Sequence, residues 1–179
     1  MGKTRDSIIP WALICASCAP CFATEYVTIE QAQRLSFPSA QRFDNAFVVF
    51  TDDQKVAIEN SSGIPVTTRA QKIWKAFDKD NHLLGWFIVD YVVGKHLLID
   101  YSVAIGVDKK VHDVEILAYR ESYGGEVRSR TWLDQFVGKD KEAPILLNHD
   151  INNISGATLS SRHVTEGVKR ILATIDVTQ

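Results

Sequence analysis

A cluster of small and hydroxyl-bearing residues occupies positions 154–162, with the sequence Ile-Ser-Gly-Ala-Thr-Leu-Ser-Ser-Arg. Four residues of a helix-capping type fall within seven positions: Ser155, Thr158, Ser160 and Ser161. A turn followed by a helix cap would use one or two of these hydroxyls. Small residues at a helix N-terminus also expose backbone N–H groups and the positive end of the helix dipole. The pattern therefore suits either a plain cap or a phosphate-binding site.

The residues that follow predict an amphipathic helix. Apolar side chains recur at i, i+4, i+7, i+8 and i+11, at Val164, Val168, Ile171, Leu172 and Ile175. This spacing places them on one helical face, which must be buried against another element. The hydroxyl cluster would lie at the N-terminus of that helix.

The middle of the chain predicts the sheet that this helix covers. Four runs are rich in β-branched and aromatic residues, at 72–77, 83–93, 96–106 and 111–119. The breaks between them are only a few residues long, which indicates antiparallel neighbours. We expect an α+β fold, with an antiparallel sheet of about four or five strands covered by short helices and the C-terminal amphipathic helix.

Short elements are expected on either side of the sheet. Capping boxes that begin at Thr28 and Thr51 predict a helix to about Leu35 and another to about residue 63, with a strand at 42–50 between them. After the sheet come a glycine-bearing loop at 121–126, a short helix around 129–136 and a linker at 138–143.

Residues 1–23 are predicted to be a secretory signal peptide. Lys3 and Arg5 precede an apolar run at 8–22, which closes on the cleavage pattern Cys-Phe-Ala. Retention as an uncleaved anchor, or lipid attachment at Cys18, are the alternatives. The predicted mature chain is one domain, residues 24–179.

Composition and cysteine content limit the function. The 179 residues are 45% hydrophobic and 23% charged, as in a packed globular protein. The net charge of −2 gives no indication of a nucleic-acid surface. All three cysteines lie within the predicted leader, so residues 24–179 contain no disulfide and no thiol catalyst. The histidines fit no metal-ligand spacing, so we expect no metal site. The sequence has no G-x-S-x-G nucleophile elbow, so we expect no Thr158–His163–Asp hydrolase and no catalytic residues.

Ser155-Gly156-Ala157-Thr158 resembles the flavinylation motif S/T-G-A-T/S of the FMN-binding domain family. That family includes subunits of sodium-translocating quinone reductases and Rnf-type electron-transport complexes. The resemblance implies covalent FMN, joined through its phosphate to the hydroxyl of Thr158 by a separate flavin transferase. It further implies that Leu159 and the other motif residues contact the cofactor.

Two upstream segments extend the resemblance, which covers roughly residues 70–175. Glu-Ser-Tyr-Gly-Gly at 121–125 looks like the family's E-T-x-G loop, and residues 132–139 look like its W-x-x-Q-F-x-G-K segment. The resemblance implies that these segments cover the flavin ring, and the candidates are Glu121, Ser122, Gly124, Gly125 and Trp132. The acidic residue that the family often has three positions before its motif is replaced by Asn152, and Asp150 is the candidate substitute.

The resemblance implies an electron-transfer flavoprotein rather than a stand-alone enzyme. It would lie in the periplasm or on the outer face of the cytoplasmic membrane. Its redox partners would be a membrane-bound protein or a cytochrome. The alternative is an exported α+β binding or structural domain without a cofactor, in which the motif is only a helix start.

Overall fold

The computed structural model describes residues 24–121 and 123–179. The predicted signal peptide at 1–23 and the candidate site residue Ser122 lie outside the described residues. Within the described part of the chain, no helix is both long and apolar enough to cross a bilayer.

Within the described residues, seven strands form the sheet. In chain order they are β1 (Thr24–Glu25), β2 (Arg42–Asn45), β3 (Val48–Val49), β4 (Ala70–Phe77), β5 (Leu83–Val93), β6 (Leu98–Gly106) and β7 (Val111–Tyr119). The spatial order is β1-β7-β6-β5-β4-β2, β3 also pairs with β4, and every pairing is antiparallel. The predicted α+β fold and its four-strand meander are confirmed, with short strands added at both edges.

The prediction of one continuous strand at 42–50 is wrong. It divides into β2 and β3 because the Asn45 side chain accepts a hydrogen bond from the Phe47 N–H at 2.9 Å. That local bond turns the backbone between the two strands and competes with the ladder. Both pieces still pair with β4, at its two ends.

The part of the chain that the structure describes also contains four helices: α1 (Ile29–Ser36), α2 (Asp52–Ser62), α3 (Arg130–Leu133) and α4 (Thr158–Thr178). The capping boxes predicted at Thr28 and Thr51 are both present, and Gly63 ends α2 at a φ of 71°. The short helix expected around 129–136 is α3, with one 3₁₀ turn before it and one after it.

Helix α4 covers one face of the sheet. All five apolar residues that predicted it are buried, together with Ile88, Val103 and Ile116 from the strands. On the opposite face, Ala32 of α1 and Phe37, the residue that follows α1, pack against Phe87. The sheet therefore has a core on both sides, and the position of α4 is fixed by the larger one.

A buried polar contact sets how α4 lies on the sheet. Arg170 of α4 donates to Asp90 of β5 at 2.8 Å, and the Tyr101 hydroxyl donates to the same carboxylate at 3.1 Å. Gly167 lies directly over Tyr101, since a Cβ there would be 2.1 Å from the Tyr101 oxygen. A glycine in mid-helix weakens the helix, and here it permits the close approach.

Replacing this glycine tests the packing. Gly167→Ala should lower the free energy of unfolding by about 1–3 kcal/mol, because overpacking outweighs the better helix propensity of alanine. Urea unfolding followed by circular dichroism measures the change. Lys169→Ala, on the same helix, is the control and should change stability by less than about 0.5 kcal/mol. An alanine variant as stable as the wild type would contradict the close contact.

Candidate functional site

Three segments meet at one end of the sheet and enclose an open cleft. They are the β5–β6 turn at 94–97, the chain that follows β7, and the first turn of α4. The cleft has a volume of about 590 Å³, within the range of small-molecule sites. Its lining residues are Lys95, His96, Glu121, Tyr123, Gly156, Ala157, Thr158, Leu159 and Ser160.

The first turn of α4 is not capped by a side chain. Ala157 is the N-cap residue, and its carbonyl accepts the first helical bond, from the Ser161 N–H at 2.9 Å. Thr158 is the first helical residue, so none of the four capping-type residues Ser155, Thr158, Ser160 and Ser161 is the N-cap of α4. The first N–H groups of a helix have no partner within it, and here they lie at the wall of the cleft.

The four hydroxyls of the cluster divide into two kinds. The buried Ser161 hydroxyl bonds to the Ala157 carbonyl and the Asn153 side chain, and the buried Ser160 hydroxyl lies 3.3 Å from the Tyr119 hydroxyl. Ser155 and Thr158 are exposed. Of these two, Thr158 lines the cleft and Ser155 does not.

Thr158 keeps its hydroxyl accessible. The Asn153 side-chain amide donates to Thr158 Oγ1 at 3.5 Å. The same Asn153 accepts from the Ile154 N–H at 2.8 Å and holds the loop before the helix. Gly156 completes that loop at a φ of 82°, with nothing within 4 Å of a Cβ placed on it.

Gly124 joins the upstream loop to the motif. A Cβ at Gly124 would lie 2.8 Å from both the Ala157 Cβ and the Tyr119 hydroxyl, and its φ of 84° also favours glycine. Tyr119 donates to the Tyr123 carbonyl at 2.5 Å. Burial raises the pKa of Tyr119, partly offset by the Ser160 hydroxyl, so the phenol stays protonated and remains a donor.

Glu121 holds the β5–β6 turn across the cleft. Its Oε1 accepts the His96 N–H at 2.5 Å and the Leu97 N–H at 2.8 Å. Desolvation alone would raise the pKa of Glu121, but these backbone donors outweigh it and lower the pKa below its ordinary value of 4.5. Glu121, a candidate for covering the flavin ring, lines the cleft, and its carboxylate positions the β5–β6 turn on the opposite wall.

Trp132 was a candidate for covering the flavin ring. It lies in the core and does not line the cleft. It is 5% exposed, and its indole N–H donates to the Asn152 carbonyl at 2.7 Å. The Asn152 N–H donates in turn to Gln135 at 2.8 Å. Both residues of the W-x-x-Q pattern thus hold the backbone three residues before Ser155.

Asp150 is tied into the fold by internal contacts. It pairs with Lys139 at 2.8 Å and accepts from the Leu146 N–H at 2.8 Å. Burial opposes ionisation, but the Lys139 ammonium and the backbone donors lower the pKa of Asp150. The Asn152 side chain, by contrast, is exposed. Gly125 begins a 3₁₀ turn beside Arg128 and does not line the cleft.

Sequence reasoning missed three residues of the cleft: Lys95, His96 and Tyr123. Lys95 was assigned to the break between two strands, His96 was counted among histidines without a metal-ligand spacing, and Tyr123 was treated as part of a loop. Nothing in their local sequence marks them. Only the pairing of β6 with both β5 and β7 brings the turn and the loop to the same end of the sheet.

A second group of potential ligands lies at the β4–β5 turn. Asp78, Asp80 and His82 have ligand atoms within 4.8 Å of one another. Asp78 accepts the backbone N–H groups of both other residues, at 2.9 and 2.8 Å. These two hydrogen bonds stabilise the turn itself, as in an ordinary polar turn. Asp80 and His82 are exposed.

Comparison with known proteins supports the resemblance found in the sequence. Residues 94–173 match the model of the family described as FMN-binding domain, and this range contains every residue that lines the cleft. A curated relative from Clostridium ljungdahlii, one of the subunits of the proton-translocating ferredoxin:NAD(+) oxidoreductase complex, is 32% identical over 108 residues. That match covers 55% of this chain and 57% of the relative's length.

The fold also resembles a solved one. The crystal structure of Shewanella oneidensis NqrC aligns with a TM-score of 0.51 at 16% identity, over 80% of this chain and 87% of that one. At this identity the likeness concerns the fold alone. The resemblance to the FMN-binding domain family is confirmed by the sequence matches.

The Glu121 contact predicts a pH-dependent turn. Because its pKa is lower in the folded state, Glu121 stabilises the fold above its unfolded pKa, and this contribution is lost as the pH falls through the folded pKa. In NMR spectra, the amide signals of His96 and Leu97 should titrate with a midpoint below 4.5. Glu121→Gln should abolish that titration, while Glu142→Gln, at an exposed site, should leave it unchanged. A midpoint at or above the ordinary value would contradict the contact.

Proposed function

We propose that this chain, whose residues 94–173 match the FMN-binding domain family, is an exported electron-transfer flavoprotein that carries FMN as a phosphodiester on Thr158. It would relay electrons between a membrane-associated donor and an acceptor. The observation that carries the proposal is the position of Thr158, an exposed hydroxyl within a cleft, on the first residue of a helix that lacks a side-chain cap.

The residues of the cleft fit FMN. The volume of about 590 Å³ accommodates a ligand of this size. Tyr123 and Leu159 are 85% and 41% exposed, so they offer apolar surface to a flavin ring. Glu121 is the acid of the lining, and the backbone of the facing turn binds its carboxylate. The remaining lining is neutral or basic, as an anionic ligand requires.

The chain's own residues bind and orient the cofactor. The N-terminus of α4 stabilises a negative charge beside Thr158 by about 0.3–2 kcal/mol. Tyr119 and Gly124 hold the loop of Tyr123 against Ala157, so the ring would meet a preformed wall. Bound FMN supplies one- and two-electron transfer, while the protein supplies position and electrostatics.

The attachment step requires an activated flavin phosphate. Thr158 Oγ1 forms the new bond to phosphorus, the leaving group of the activated phosphate departs, and the hydroxyl proton is released. The product differs from chain plus FMN by the loss of one water. We assign this step to a separate transferase, since the cleft holds no base within hydrogen-bonding distance of Thr158 Oγ1 among the described residues.

Two observations support the redox role and the location. The curated relative is named as part of a complex that transfers electrons between ferredoxin and NAD(+) and moves protons. An apolar leader preceded by Lys3 and Arg5 favours export. A tethered cofactor would suit a compartment in which free FMN is scarce.

Intact-mass measurement tests the covalent bond. The full chain, produced in a host with a flavin transferase, should exceed the mass of its polypeptide by one FMN less one water and should stay yellow when unfolded. Thr158→Ala should lose both properties. Ser61→Ala, which removes an exposed hydroxyl of α2, is the matched control and should keep them, because Ser61 lies outside the motif and the cleft lining. A flavin-free mass in the wild type, or covalent flavin on Thr158→Ala, would overturn the assignment.

The Thr158→Ala variant should fold normally. Because Thr158 is not the cap of α4, Thr158→Ala should change the free energy of unfolding by less than about 0.5 kcal/mol. Loss of a true cap would cost about 1 kcal/mol. Thermal unfolding of the flavin-free proteins separates the two, and a loss of the larger size would show that the hydroxyl does cap the helix.

A further inference from the structure

We propose that Asn153 is a positioning residue for the attachment of the flavin, which fixes the direction of the Thr158 hydroxyl and leaves the hydroxyl proton free. The inference rests on the proposed function, because it concerns the bond that forms at Thr158 Oγ1. Asn153 lies two residues before the Ser-Gly-Ala-Thr motif, on the exposed loop that leads into α4. Its side chain would hold the last residue of the motif ready for reaction.

Two donors hold the amide oxygen of Asn153. It accepts from the Ile154 N–H at 2.8 Å and from the Ser161 hydroxyl at 2.9 Å. A backbone N–H can only donate, so the atom that it meets is the oxygen of the amide, and the amide nitrogen points elsewhere. That nitrogen donates to Thr158 Oγ1 at 3.5 Å. One side chain therefore connects the loop, the first turn of α4 and the attachment hydroxyl.

Thr158 differs from the other threonines of α4. In each of the others, the hydroxyl donates to the carbonyl four residues earlier, at distances of 2.7, 2.9 and 2.8 Å for Thr165, Thr174 and Thr178. For Thr158 the equivalent carbonyl is that of Ile154, which accepts the Ala157 N–H at 3.0 Å. Within the described residues, the Thr158 hydroxyl donates no hydrogen bond and accepts one from Asn153.

The direction of this hydrogen bond matters for the attachment step. A threonine in a helix ordinarily divides between two side-chain rotamers, because its hydroxyl can bond to a carbonyl of the preceding turn. A hydroxyl that donates to a carbonyl must break that bond before a base can take its proton. Because the Thr158 hydroxyl accepts instead, its proton stays available to the transferase, and a lone pair of Oγ1 can attack phosphorus. Asn153 supplies orientation and takes no proton itself.

The kinetics of attachment test this role with a variant that removes only the donor. Asn153→Asp keeps the oxygen that Ile154 and Ser161 bind, and it loses the N–H group that reaches Thr158. The flavin-free chain is incubated with a purified flavin transferase and with FAD as the activated flavin phosphate. The phosphoanhydride bond of FAD breaks, Thr158 Oγ1 bonds to phosphorus, AMP leaves and the hydroxyl proton is released. Intact mass at successive times, over a range of chain concentrations, gives kcat and KM.

The donor variant should lower kcat and leave KM for the chain unchanged. We expect a loss of about fivefold, the effect of one ordinary hydrogen bond. The Ile154 N–H should keep its protection from hydrogen exchange in Asn153→Asp, because its acceptor remains. Asn153→Ala removes the acceptor as well, so it should lose this protection in addition to kcat.

Three results for Asn153→Asp would overturn the positioning role. A wild-type kcat would show that the donor is not needed. A raised KM with an unchanged kcat would mean that Asn153 contacts the transferase. A lower kcat together with loss of Ile154 protection would assign the effect to the order of the loop.

Controls separate the missing donor from the added negative charge. Asn152→Asp places the same charge on the neighbouring exposed residue, and Asn60→Asp makes the same substitution in α2, outside the cleft lining. Neither should lower kcat. The loss in Asn153→Asp should persist as ionic strength rises, because salt screens charge repulsion and does not replace a donor. Recovery at high salt, or an equal loss in Asn152→Asp, would show charge repulsion and overturn the inference.

The wild-type chain and Thr158→Ala separate this inference from the proposed function. Flavin transfer to the wild type that is lost in Thr158→Ala would establish the attachment site, and the Asn153 variants then decide the positioning role alone. A wild type that gains no mass, or a Thr158→Ala variant that still gains it, would overturn the proposed function whatever the Asn153 variants do.

Discussion

The close contact between Gly124 and Ala157 is the constraint on which the site depends. A side chain on Gly124 would collide with the Tyr119 hydroxyl and with Ala157. This contact locks the chain that leaves β7 onto the first turn of α4. Thr158 follows Ala157 directly, so its position at this end of the sheet is set by the same packing. Functional groups placed on rigid elements in this way keep their geometry.

Other residues of the segments that resemble the family act on the cleft indirectly. Trp132 and Gln135 bind the backbone of Asn152 from its two sides, and Lys139 holds Asp150. These contacts position the loop that leads into the motif. Behind it, the buried contact of Arg170 with Asp90 fixes α4 against β5. Residues that resemble a family's binding pattern can therefore be supports of the site, because the motif needs an ordered loop as well as a reactive hydroxyl.

The electrostatics of the cleft agree with an anionic ligand. A carboxylate in such a cleft would normally oppose a phosphate. Here the backbone N–H groups of the β5–β6 turn bind Glu121 and keep it ionised as part of the turn. Lys95 and the first turn of α4 line the same cleft, and that turn contains no acidic residue. The open mouth and the exposed Tyr123 would leave a bound flavin ring accessible, as the proposed electron transfer requires.

The sequence by itself determined the elements whose causes are local. The capping boxes at Thr28 and Thr51, the helical stripe of α4 and the four long strands all depend on residues a few positions apart, and all are present. The Ser-Gly-Ala-Thr motif could be recognised for the same reason. Only the tertiary structure decided that Lys95 and Tyr123 share a cleft with Thr158, that Ala157 is the cap residue, and that Trp132 supports a loop. These outcomes depend on contacts between residues tens of positions apart, which no local pattern encodes.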